Sequence, residues 1–262
     1  MTLLEKFPDP FSPRQIQKDI LDEIEVKLQS GYKKIVICAP TGVGKSLVGA
    51  TISNYFDSSF TVTASKHLQD QYIKDIPFLK PVKGKQNFPC LKLMDAEKVD
   101  NDKEAMRSGL TCDKGQCQER INKNGKEVVQ VCKFKPTIKQ VEDKTQDSLS
   151  CHYYLQKYDA LVSKHSLWNY HAFFTIMKYN KKLFADYLNR KVTVFDEAHK
   201  IEDQIIQFVG FDIFAGQVDE CNLSTERYNF TDLDSMIQLT DDIAFSYAKK
   251  NQRYQRKPCI SK

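Results

Sequence analysis

One short segment constrains this chain more than any other: Ala39-Pro-Thr-Gly-Val-Gly-Lys45-Ser46, set between a β-branched apolar run and an amphipathic stretch. Residues 34–39 (KIVICA) have the length and composition of a buried strand, and a helix is expected from about residue 45 to 56. A glycine turn in that context is a phosphate-binding loop. Gly42 and Gly44 free the backbone amides around Thr41 and Val43 to turn toward phosphate oxygens. Lys45 brings a point charge to the terminal phosphates, and Ser46 offers a hydroxyl to magnesium. Ala39 stands where the common pattern has its first glycine.

The rest of the chain supplies a matching partner. Residues 191–195 (KVTVF) read as a strand, and it runs straight into Asp196-Glu197-Ala198-His199. Two carboxylates at the carboxyl end of such a strand lie on the sheet edge where open α/β folds bind ligands. Asp196 is placed to hold magnesium through water, Glu197 to orient and deprotonate an attacking water, and His199 to sense the nucleotide state. Further strands are expected at 60–65 and 159–163. Helices are expected from Ser12-Pro13 to Gly31, on the stripe Ile16, Ile20, Ile24 and Leu28, then at 67–73 and over most of 167–188. Strands alternating with helices make a three-layer α/β phosphate-loop domain with a parallel sheet.

Length and charge set the outer bounds. The 262 residues exceed the usual single domain, and the net charge of +5 suits a polyanionic partner without demonstrating one. No apolar run approaches the roughly 20 residues that cross a bilayer, and the proline-broken start is a poor signal peptide, so a cytoplasmic or nucleoid-associated protein is expected. Most of the excess charge, +4, falls between residues 80 and 150, a lysine-rich stretch that breaks the α/β pattern and reads as a loop-like insertion.

That insertion also gathers the cysteines. Of eight, five fall close together: Cys90, then Cys112 and Cys117 with four residues between them, then Cys132 and Cys151. Cys38, Cys221 and Cys259 are scattered. Four thiolates can hold a [4Fe-4S] cluster, whose staple lets a core-poor loop fold. Zinc is the metal alternative, although its ligands usually come in close CxxC pairs, and disulfides suit secreted chains. Cys132 is either a substitute for Cys117 or a spare thiol.

Several segments, taken in order, resemble the first motor domain of a superfamily 2 DNA helicase of the iron-sulfur XPD/DinG type. Arg14-Gln15 resembles the element that reads adenine, with Gln15 as the contact. Thr61-Val-Thr63 and Leu68-Gln-Asp-Gln71 resemble the segment that touches the tracking single strand. Lys83-Gly-Lys85-Gln-Asn-Phe88-Pro-Cys90 resembles the lead into the first cluster cysteine, and Cys151-His-Tyr-Tyr154 the last. Asp159 to Leu167 resembles the strand and asparagine-histidine turn that follow, with Lys164 replacing the asparagine.

The resemblance implies a RecA-like domain that uses ATP and magnesium and carries a cluster on Cys90, Cys112, Cys117 and Cys151. It further implies contact with single-stranded or forked DNA through Thr63, Gln71, Lys83 and Lys85, and movement from 5′ to 3′. The expected organisation is residues 1–79 and 156–207 as the two parts of the motor domain, 80–155 as the cluster insertion and 208–262 as the start of a helical region. The stripe Leu233, Met236, Ile237, Thr240, Ala244 and Tyr247 marks a helix in that last part. No second motor domain and no arginine motif follow; Arg227, Arg253 and Arg256 lie in none. The expectation is a part that binds nucleotide and hydrolyses it poorly alone, with a second chain supplying the other motor domain.

Overall fold

The computed structural model describes residues 2–123, 126–210 and 213–255, so Arg256 and Cys259 lie outside the described residues. Its contacts divide the chain into two units, one up to Phe208 and one from Val209.

A four-stranded sheet organises the first unit. Its strands are β1 (Ser59–Thr63), β2 (Lys80–Val82), β5 (His165–Asn169) and β6 (Val192–Phe195), in the order β2-β5-β1-β6, and every pairing is parallel. Central β1 is buried at all five positions, as a strand covered on both faces must be. Phe60 and Val62 point to one side, into a core with Trp168 of β5 and side chains of α7 (His152–Val162) and α8 (Tyr170–Tyr179), closed by Phe184 ahead of α9 (Ala185–Leu188). On the other side Leu167 packs with Ala50 of α2 (Lys45–Tyr55) and with Tyr72 and Ile76 around α3 (Lys66–Asp75). Thr61 there meets Ser53 of α2 through a buried hydroxyl pair at 2.9 Å. Helix α1 (Gln15–Gln29) reaches α2 through Leu21, Ile24 and Val48, and Gly31 at φ +84° takes the left-handed conformation past its end. The three-layer α/β domain with a parallel sheet is thus the observed architecture.

Three local expectations need correction. Residues 34–39 belong to no strand; only Ile35 packs inward, onto the α1–α2 core, while Val36 is 90% exposed. Among the described residues β6 therefore has no strand beyond it on its side of the sheet. Residues 159–162 are helical and Ser163 caps the helix, because the stripe Tyr154, Tyr158, Leu161 at i+4 and i+3 outweighs the short apolar run Ala160-Leu-Val. The strand comes later, in β5, where Trp168 and Leu167 go to opposite cores with the period of two a strand requires. Finally, α1 is capped at Arg14 rather than Ser12, with the Arg14 amide held by Gln17 Oε1 at 2.9 Å.

The cysteine-rich stretch is not loop-like throughout. Its first three residues form β2, which pairs with β5. Beyond them come α4 (Leu91–Glu97), α5 (Asp102–Arg107), an antiparallel hairpin of β3 (Gln118–Lys123) and β4 (Lys126–Val131), and α6 (Ile138–Glu142). After β6, α10 (Ile201–Val209) runs to the boundary between the units, its last residue belonging to the second. The second holds α11 (Ala215–Glu220) and α12 (Leu233–Gln255), joined by Val218, Tyr228 and Leu239 in a small core of their own.

Candidate functional site

The glycine turn sits on the amino end of α2. Gly42 (φ +82°) and Gly44 (φ +85°) both occupy the left-handed region, which an L side chain adopts only under strain. Gly44 has a second reason to be glycine, since a Cβ there would collide with the Gln17 amide. Gln17 is buried and donates to the Gly44 carbonyl at 3.3 Å, while Arg14 donates to the Gly42 carbonyl at 2.9 Å. Lys45 is folded back on the loop, its ammonium 2.9 Å from the Ala39 carbonyl and 3.2 Å from that of Pro40. Val43 is buried beneath the turn and Thr41 faces solvent.

The acidic pair comes to the same place. At the end of β6, Asp196 receives the Tyr72 hydroxyl on Oδ2 and the Glu197 amide on Oδ1, each at 3.0 Å. Its backbone is pinned as well, with its amide on the Val62 carbonyl and its carbonyl receiving the Tyr170 hydroxyl. Tyr72 is buried and its hydroxyl also meets the Ser46 hydroxyl, so one phenol joins the two groups expected to face magnesium. Burial raises the Asp196 carboxyl above its ordinary value, against the Tyr72 hydrogen bond, the Glu197 amide and the charge of Lys45, which lower it. Burial raises Tyr72 too, with Asp196 adding to it. An incompletely compensated buried carboxylate of this kind favours a cation.

Glu197 takes φ +54°, an uncommon conformation for a non-glycine residue and one that clusters at functional sites. His199 Nδ1 lies 3.2 Å from its Oε2. Gly49 lets α2 approach this strand: a Cβ there would press on Val194 at 3.1 Å. Lys45, Ser46, Asp196 and Glu197 therefore share one edge of the sheet, as their spacing predicts. Gln15 does not join them, being exposed with its amide on Asp19 at 2.7 Å. Sequence reasoning overlooks Tyr72 and Gln17, and it names Arg14 beside Gln15 without its contact to the glycine turn. Their signal is position alone, one residue after the Gln71 motif and within three residues of Gln15.

The second assembly is a pocket lined by Cys90, Cys112, Cys117, Cys132 and Cys151, together with Phe134, Tyr154, Lys92 and Lys135. Cys90, Cys112 and Cys151 are buried, Cys112 and Cys151 with their sulfurs 3.8 Å apart. The Cys112 thiol, and after it the Tyr153 and Tyr154 amides opening α7, hold Cys151 below the usual thiol range. Gly115 is the overlooked residue here. A Cβ on it would run into the Cys90 sulfur, so only glycine lets this loop close over the pocket. Among the described residues no three His, Cys, Asp or Glu side chains are grouped to hold one metal ion.

The lysines expected to meet DNA are engaged. Lys83 pairs with Asp70 at 2.8 Å, while Lys85 lies over the Tyr153 ring and 3.9 Å from the Cys117 sulfur. Gln71 is exposed on α3, whereas Thr63 is fully buried with no partner for its hydroxyl. No helix among the described residues is long and apolar enough to cross a membrane.

Residues 10–224 match the family described as type III restriction enzyme, res subunit. The chain is also 28% identical over 256 residues to the ATP-dependent DNA helicase YoaA of Haemophilus influenzae, in an alignment covering 87% of this chain and 39% of that protein. The chain spans about two-fifths of the length of that curated relative. A family match over most of the chain, laid on a phosphate loop and an Asp-Glu pair at one sheet edge, places the protein in the restriction-enzyme res-subunit family, among the superfamily 2 helicases.

Proposed function

We propose that this chain is the nucleotide-binding motor domain of an ATP-dependent DNA helicase of the iron-sulfur type, moving 5′ to 3′ on single-stranded or forked DNA. The observation that carries the reading is the meeting of Lys45, Ser46, Tyr72 and Asp196 at the edge where Glu197 and His199 also stand. Ser46 and Asp196 fit magnesium, which supplies charge neutralisation across the β- and γ-phosphates. The amides of residues 41–46 cradle the phosphates, and Lys45 exchanges the Ala39 and Pro40 carbonyls for phosphate oxygens. Tyr72 keeps Ser46 and Asp196 in register. Glu197, aimed by its φ and by His199, orients the attacking water and accepts its proton. Gln15 contacts the adenine once its bond to Asp19 is exchanged for the base.

Catalysis needs an arginine from a second motor domain, in a longer form of the protein or on another chain. In the insertion, Cys90, Cys112, Cys117 and Cys151 fit the thiolates of a [4Fe-4S] cluster, with Cys132 in reserve. Five cysteines on one pocket, Gly115 closing over Cys90 and three lysines nearby support it, since a four-thiolate cluster is anionic. DNA would run past Gln71, with Lys83 exchanging Asp70 for phosphate and Lys85 leaving Tyr153. Thr63 would support this surface from within.

The test is a pair of measurements on the purified chain: nucleotide binding with magnesium, and ATP turnover with and without single-stranded DNA. Binding with turnover roughly 10³-fold or more below that of a complete motor is expected, the scale of a missing arginine finger. Robust DNA-stimulated turnover would overturn the need for a second domain, and failure to bind nucleotide would overturn the whole reading.

A further inference from the structure

The hairpin β3–β4 is closed at its base by two cysteines. Cys117 immediately precedes β3 and Cys132 immediately follows β4. The ladder pairs Gln118 with Val131, so Cys117 and Cys132 are the next opposed pair, and the Cys132 amide donates to the Cys117 carbonyl at 3.0 Å. Directly opposed residues carry their side chains on the same face of a hairpin, and both sulfur-bearing residues do line the same pocket. A hydrogen-bonded antiparallel pair sets its Cα atoms about 5.5 Å apart, inside the window a disulfide needs. Both residues are half-exposed, whereas Cys90, Cys112 and Cys151 are buried.

We propose that Cys117 and Cys132 form a reversible cross-strand disulfide that serves as an oxidation-sensitive latch on the pocket. A peroxide oxidises one thiol to a sulfenic acid and leaves as water. The other sulfur then attacks it, the S–S bond forms, and a second water leaves. Two thiols are oxidised and one O–O bond is reduced; a small dithiol reverses the step by exchange. The hairpin ladder already holds the two residues opposite each other. Cys112 and Cys151, although 3.8 Å apart, are shielded from the oxidant by burial. Where the pocket holds a metal centre, the disulfide removes Cys117 and its substitute Cys132 together. This last consequence rests on the cluster reading; the disulfide itself does not.

The experiment uses the full chain, stripped of metal under reductant, then treated with one equivalent of hydrogen peroxide and mapped by mass spectrometry without reduction. A single linked peptide pair joining Cys117 to Cys132, with two thiols lost and both recovered by dithiothreitol, is expected. Cys132→Ser should abolish the link and Cys221→Ser should leave it. A link between Cys112 and Cys151, or sulfenic acid with no link, would overturn the proposal. Reduced and linked chains are then supplied anaerobically with iron and sulfide. About four irons per reduced chain against a several-fold lower count in the linked chain is expected. Equal iron in both would overturn the latch on metal loading. A reduced chain that takes up no iron would overturn the cluster reading alone, because the linkage is scored on metal-free protein.

Discussion

The strand Ser59–Thr63 and the run at 34–39 are β-branched at half or more of their positions and the run is the more apolar of the two, yet every residue of the first is buried while the second leaves Val36 90% exposed. The first lies between β5 and β6 with helices on both faces; the second has no strand beside it. Composition states a demand for burial, and only neighbours can meet it. The closed side of the sheet, β2-β5-β1 with α7 and α8, supplies the stability of the unit. The open side, where Ala39 receives Lys45 and β6 delivers Asp196, supplies the chemistry.

Single substitutions should separate the two sides. Trp168→Ala, in the closed core with its indole N–H on Ser166, should cost about 3–5 kcal/mol in a urea titration, whereas Val36→Ala should stay within about 0.5 kcal/mol. A comparable loss at Val36 would mean that the run at 34–39 is covered in solution and that the contrast is wrong. Lys45→Ala reverses the pattern. Loss of charge-assisted contacts to phosphate should weaken magnesium-nucleotide binding by roughly 10- to 100-fold with the unfolding midpoint unchanged. Parallel losses of affinity and stability would show that the open edge also holds the fold together.

How much of this was legible in the sequence follows from how local each feature is. The phosphate loop, α2, β1, β6 and the Asp-Glu pair are written in short runs whose spacing carries the chemistry. The assignment of residues 159–163 fails because three apolar residues in a row fit a strand or a buried helix, and the deciding residues, Tyr154 and Tyr158, lie outside the window. The open edge was invisible, since a strand's partner is set by topology and not by its own residues. Clustering pointed to Cys90, Cys112, Cys117 and Cys151 as a group, but the opposition of Cys117 and Cys132 required the hairpin register.

The closed side buries a charge as well. Burial, followed by the neighbouring Lys85 and Lys135, pushes Lys157 of α7 down to about 8. Between that value and the ordinary 10.5, the unfolded chain holds a proton that the folded chain has released, so this residue makes stability rise with pH across the window. At neutral pH both states are charged and the folded one carries the desolvation penalty. Lys157→Met should therefore stabilise the protein by about 1–2 kcal/mol at pH 7, with the advantage shrinking toward pH 10. A gain that does not change with pH would place the ammonium in solvent and remove one mark of closure from this side.

The smallest effect should come from the residue that joins the two sides. Tyr72 packs its ring with Ile76 and with Leu167 of β5, in the core under α2 and α3, and turns its hydroxyl out to Ser46 and Asp196 on the open edge. Tyr72→Phe keeps the packing and removes the hydroxyl, so stability should fall by about 1 kcal/mol or less, the net worth of one hydrogen bond. Nucleotide affinity without magnesium should be unchanged, because the amide cradle and Lys45 are untouched. Affinity with magnesium should drop several-fold, since Ser46 and Asp196 lose the group that fixes their separation. Equal losses with and without magnesium would make Tyr72 a packing residue only. A loss confined to magnesium would show that this core sets the geometry of the open edge through one phenol.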